Sequence, residues 1–138
     1  SEETIVASRN FGNKIWNASR FVLSQPSAIS RQPSVKHPDD QWILEELRKT
    51  VKSVNADLER FRFGQAAHTL YDFFWHVFCD KYIEMAKKRR QEAQPTLLYV
   101  LEAFLKLLHP FMPFITEEIY QRVPKHGKSI MIAPWPKV

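Results

Sequence analysis

Apolar side chains recur at intervals of three and four along most of the chain, a period that predicts helices. Over residues 4–24, Ile5, Phe11, Ile15, Trp16, Ala18, Val22 and Leu23 fall on one side of a helical wheel. Asn10, Asn13, Lys14, Asn17 and Arg20 gather on the other side, and Phe21 falls among them. Residues 25–38 carry Pro26, Pro33, Pro38 and three serines, which predicts a connector longer than most bundle loops. Asp39 or Asp40 is placed to cap a second helix that runs to about Glu59. Its stripe is Ile43, Leu47, Val51, Val54 and Leu58.

Phe61-Arg62-Phe63-Gly64 reads as a joint before a third helix over Gln65 to Arg90. That helix is apolar around much of its circumference, with Ala67, Leu70, Phe74, Val77, Phe78 and Met85 joined by Tyr71, Trp75, Tyr82 and Ile83, which predicts a central place. Pro95 fits the first turn of a fourth, very apolar helix. Pro110 ends or kinks it, and Pro113 restarts a short helix carrying Ile115, Ile119 and Val123. Ser129–Ile132 suits a brief strand or an extended strap, because Pro134 and Pro136 forbid helix. The expected fold is therefore all-α: an antiparallel bundle of four to five helices with a short extended tail, forming one domain over residues 1–138.

Composition narrows the function. With 44% apolar and 25% charged residues the chain is globular. Three glycines and no Gly-rich phosphate motif argue against a nucleotide-binding loop. One cysteine excludes an internal disulfide and a thiolate metal cluster, and fits a reducing, cytoplasmic compartment. Cys79 sits in an apolar run and reads as core filler. Neither a secretory h-region nor a run of apolar residues long enough for a membrane span occurs. The net charge of +5 permits an acidic partner such as nucleic acid. The chain opens in helix-like sequence without an initiator Met, as expected of a fragment of a longer protein.

Catalytic chemistry finds little support. Asp72, His76 and Asp80 make a polar row that would need a ligand from another helix to hold a metal; a polar flank is the plainer reading, and no metal is expected. Glu117 and Glu118 suit the N-terminal turn of the helix after Pro113. No nucleophile elbow or triad-like signature occurs. The sharper signal is the face holding Lys14, Asn17, Arg20 and Phe21. An aromatic ring amid cations and amides can stack on an unpaired base while its neighbours read edges or clamp phosphates. Alternatively Phe21 covers the connector and the cations face water. Lys87-Lys88-Arg89-Arg90 is open in the same way, between phosphate contact and a helix end that suits its dipole.

Asn10-Phe11-Gly12-Asn13-Lys14-Ile15-Trp16-Asn17-Ala18-Ser19-Arg20-Phe21-Val22 resembles the first helix of the anticodon-binding domain of valyl-tRNA synthetases. Phe61-Arg62-Phe63, Tyr71-Asp72-Phe73-Phe74-Trp75 and Phe78-Cys79-Asp80-Lys81-Tyr82-Ile83-Glu84 extend the likeness. So do Leu107 through Tyr120, a stretch shared with isoleucyl and leucyl enzymes, and Ala133-Pro134-Trp135-Pro136. The resemblance implies a helical bundle that docks the anticodon arm of tRNA beside the catalytic domain of the same chain. It implies base or phosphate contacts at Lys14, Arg20 and Phe21, with Asn17 beside them. In such enzymes the full protein activates valine with ATP and esterifies tRNA. Motifs of the catalytic half are absent here, so this piece is expected to be non-catalytic and to need no cofactor, ATP serving the full-length enzyme. Lys81 stands where many relatives carry an aromatic residue. The rival readings are an isoleucyl- or leucyl-type anticodon-binding domain and a non-enzymatic helical protein-interaction module.

Overall fold

A computed structural model of the chain describes residues 2–25, 32–33 and 35–137, with the side chains of residues 2–6 outside that description. Half of the predicted 25–38 connector, and the placement of the Ile5 side chain, therefore lie outside the described residues. The helices are α1 (Glu2–Leu23), α2 (Pro38–Glu59), α3 (Phe63–Asp72), α4 (Glu84–Ala86), α5 (Arg90–Leu108) and α6 (Pro113–Tyr120). A π-helix, Phe73–Ile83, joins α3 to α4, and 3₁₀ turns cover Lys87–Arg89 and Ile130–Ile132. No strand occurs among the described residues, and the all-α expectation holds. The tail forms a 3₁₀ turn where the sequence left a brief strand open.

The core lies around α5, where Leu97, Val100, Leu101, Phe104, Leu105 and Leu107 are completely buried. The third helical run, expected at the centre, packs on α1, α2 and α5, and α5 is central beside it, with α1, α2, α3 and α6 all against it. Phe74 stacks on Phe104 with ring centroids 4.3 Å apart, which ties the third helical run to α5.

That run does not keep an α-helical period. Through Phe73–Ile83 the backbone adopts the wider π turn, which brings residues four apart more nearly into line. Phe74, Phe78 and Tyr82 make a fully buried column, while His76, Asp80 and Glu84 make an exposed one. The run ends earlier than Arg90. At Arg89 the backbone leaves helical geometry (φ −141°, ψ 50°), and α5 starts one residue later. Pro95 therefore sits inside α5 rather than in its first turn. The donor it lacks would have reached the carbonyl of Gln91, an exposed residue.

Two local expectations need correction. The cap of α2 is His37, whose Nδ1 accepts from the Asp39 amide at 3.1 Å, with Pro38 in the first turn. Asp40 is instead completely buried. The expected α2–α3 joint is present, and its left-handed residue is Phe61 (φ 59°). The amides of Arg62 and Phe61 bond back to the carbonyls of Asp57 (2.8 Å) and Leu58 (3.1 Å), which closes α2 as a Schellman turn. Glu117 lies beyond the first turn of α6 and serves as a clamp for the tail. It accepts from the Ile130 amide at 2.9 Å and from the Ser129 hydroxyl, and these bonds hold its carboxyl below the usual range. The Trp135 indole donates to Asn55 Oδ1 at 2.8 Å, pinning the tail on α2.

Asp40 anchors the joint between the third helical run and α5. Arg89 donates to both its oxygens, at 2.8 and 3.0 Å, and the Tyr82 hydroxyl donates to it at 2.5 Å. A carboxylate taken out of water requires such partners. Replacing Asp40 by Ala strands the Arg89 guanidinium and the Tyr82 hydroxyl. The expected loss is about 3–5 kcal/mol in urea unfolding, and Tyr82→Phe should lose less. A loss below about 1 kcal/mol for Asp40→Ala would mean that the pair behaves as a water-exposed one.

Candidate nucleic-acid interface

The polar face of α1 is held in register by the opposite face, where Phe11, Ile15, Ala18 and Val22 are buried. Lys14, Asn17 and Phe21 follow each other at three and four residues, so they share one stripe. With Ala18, Cys79, Ile83, Glu84 and Lys87 they line a shallow groove of ≈ 230 Å³ between α1 and the π-helix and α4. The groove combines a ring, an amide, two ammonium groups and one carboxylate. Such a set can stack on a planar base, bond its edges and neutralise a phosphate.

Phe21 departs from the sequence expectation. Its ring is half-buried against the core rather than isolated in solvent. The cations beside it are Arg90, whose guanidinium carbon lies 4.5 Å from the ring centroid, and Lys87 at 5.9 Å. Lys14 stands over the ring of Trp75 instead, at 5.2 Å. Arg20 is exposed but lies on the neighbouring flank of α1, outside this groove. One stripe thus gathers Lys14, Asn17 and Phe21, and the helix turns Arg20 away from them.

The run at 87–90 divides by task. Arg89 is tied to Asp40 and also donates to Glu92 at 3.0 Å; the bond to Asp40 is the main cause of its raised pKa. Arg90 donates to the carbonyls of Phe21 (2.6 Å) and Val22 (3.2 Å), capping the C-terminal end of α1, and burial lowers its pKa. Lys87 pairs with Glu84 at 2.6 Å on the exposed rim of the groove. Lys88 faces solvent. Sequence reasoning missed the places of Glu84 and Trp75 in this site and the capping role of Arg90. The spacing of Glu84 and Lys87 by three is a local signal, whereas Trp75 and Arg90 meet their partners on α1, which no local pattern marks.

The polar row also divides. Asp72 pairs with His68 (3.1 Å), while His76 pairs with Asp80 (3.4 Å), and all four are at least partly exposed. Among the described residues no group of three or more such side chains converges on a metal position.

A family model described as the anticodon-binding domain of tRNA ligase matches residues 40–138. A valine–tRNA ligase of Carboxydothermus hydrogenoformans is 47% identical over 98% of this chain. Others, of Geobacillus stearothermophilus and Thermotoga maritima, are 44% and 49% identical over 100% and 96% of it. The chain spans 16–17% of the length of these curated relatives. Among solved structures, the LeuRS–tRNA–LeuAMS ternary complex of Agrobacterium radiobacter K84 superposes with a TM-score of 0.70 at 23% identity. It covers 94% of this chain and 16% of that one, a likeness of fold.

Cys79 supplies a pH test of the groove wall. Burial raises its thiol from an ordinary 9.0 to about 12. A group that keeps its proton more firmly when folded contributes stability below its unfolded pKa, and that contribution is lost as pH rises through the folded value. Thermal stability is expected to fall between about pH 9 and 12, and to fall less steeply in Cys79→Ala. Identical slopes in melts of the two proteins would show that water reaches the thiol.

Proposed function

The chain belongs to the anticodon-binding domain family of tRNA ligases, and from that premise we propose that it reads the anticodon arm of a valine-accepting tRNA. The observation that carries the reading is the groove in which Lys14, Asn17 and Phe21 meet Lys87. Phe21 offers a stacking surface there. Asn17 and Lys14 would bond base edges, and the rim cations Lys87 and Lys88, exposed like Arg20 on the adjacent flank, would take phosphates. Arg89 and Arg90 are spent within the fold, so their part is to fix the groove rather than to reach RNA.

Identities of 44–49% to valine–tRNA ligases support valine as the amino acid of the parent enzyme. In this proposal the 138 residues are one domain of that enzyme. Its catalytic domain, elsewhere in the same chain, activates valine with ATP and transfers it to tRNA. The present residues bind and orient, and carry no bond-making step. No helix among the described residues is long and apolar enough to cross a membrane. A single buried cysteine suits a reducing cytoplasm.

Replacing Phe21 by Leu keeps an apolar side chain on the core while removing the ring. If the ring stacks on a base, affinity for an anticodon stem–loop RNA should fall by about 1–3 kcal/mol in filter binding. Wild-type binding should also weaken steeply with salt, with a slope of about −0.7 for each phosphate contacted. An unchanged affinity in a folded Phe21→Leu protein removes the stacking assignment.

A further inference from the structure

We propose that a second groove, on the opposite flank of α1, seats a further nucleotide of a single-stranded RNA segment. The inference rests on the RNA-binding reading above and extends it to residues outside the first groove. This second groove, ≈ 350 Å³, lies between α1 and the end of α6 and is lined by Trp16, Ser19, Arg20, Leu23, Ile119 and Arg122. That volume falls at the small end of the range of about 300–1,000 Å³ usual for ligand clefts.

Three features give it nucleotide chemistry. Arg122 lies over the indole of Trp16, its guanidinium carbon 4.5 Å from the ring centroid. Its ion pair with Glu118 is long (3.6 Å) and exposed, so donors remain for a phosphate. Arg20 adds a second exposed guanidinium, and it makes no ion pair among the described residues. A planar fork of donors matches phosphate oxygens better than an ammonium does. Ser19 is 2% exposed, and its Oγ has no hydrogen-bond partner among the described residues. A buried hydroxyl left unpaired in a native fold requires an explanation. This one belongs to a residue of the groove lining, where a small adjustment would let it meet a base or ribose group.

Half-buried Trp16 with Leu23 and Ile119 supplies an apolar wall for a base. Two arginines beside a ring favour RNA over an acidic peptide, because the peptide would leave the ring without a flat partner.

The test measures stem–loop RNA binding by the 138-residue chain across a salt series. It compares wild type, Arg122→Gln and Phe21→Leu, with thermal melts to confirm folding and ultraviolet crosslinking to locate contacts. Arg122 is exposed, so its substitution leaves the core intact. Arg122→Gln is expected to weaken binding several-fold at low salt and to reduce the magnitude of the log K–log salt slope by about 0.7. Crosslinked peptides should include Trp16. If Arg122→Gln binds with wild-type affinity and slope, without a Trp16 crosslink, while Phe21→Leu is weakened, the second groove is not an RNA site and the first reading stands. If only Arg122→Gln is weakened, the second groove is upheld and the stacking role of Phe21 fails. Wild-type binding by both variants overturns both.

Discussion

The fold turns on one buried ionic knot, in which Asp40 of α2 is held by Arg89 and Tyr82. Such a carboxylate is tolerated in the interior only while its partners stay in place. The requirement fixes the position of Arg89 and, with it, the break between the third helical run and α5. Arg90, the next residue, extends to the end of α1 and bonds the Phe21 and Val22 carbonyls. Two neighbouring arginines thus brace α2 and α1 against a single turn of backbone. The first groove lies beside that turn, so its shape is inherited from a knot none of whose members reaches RNA in the proposed function.

The π-helix is the second constraint. Its wide turn lets Phe74, Phe78 and Tyr82 form one buried column. The same geometry brings Cys79 and Ile83 to the groove wall while Glu84 and Lys87 stay on the rim. Segments of this kind recur at functional sites, where the extra residue per turn re-aims side chains. Here the segment buries the rings of Phe73 and Phe74 against Phe104 on one side and lines the groove on another.

Clustering of charge along the sequence does not carry over to the surface. The densest basic run, at 87–90, contributes two arginines to internal bonding and leaves two lysines at the surface. Adjacent residues on a helix point in different directions, so a cluster in sequence is dispersed in space. The stripe at Lys14, Asn17 and Phe21, spaced by three and four, stays together for the same reason. Spacing keeps side chains together because it is set by helical geometry alone.

The sequence by itself determined the helical class, the breaks at Pro110 and Pro113, and the buried and polar faces of α1 and α2. Each follows from local rules of period and backbone restriction that operate within a few residues. Only the tertiary structure decided that Asp40 is buried rather than capping. Only it placed Phe61 at the left-handed turn, Glu117 on the tail, and Arg90 and Lys87, rather than Lys14 and Arg20, beside the Phe21 ring. The helix wheel shows which way a side chain leaves its own helix. It carries no information about the helix packed alongside, and most of these partners lie far away in the chain.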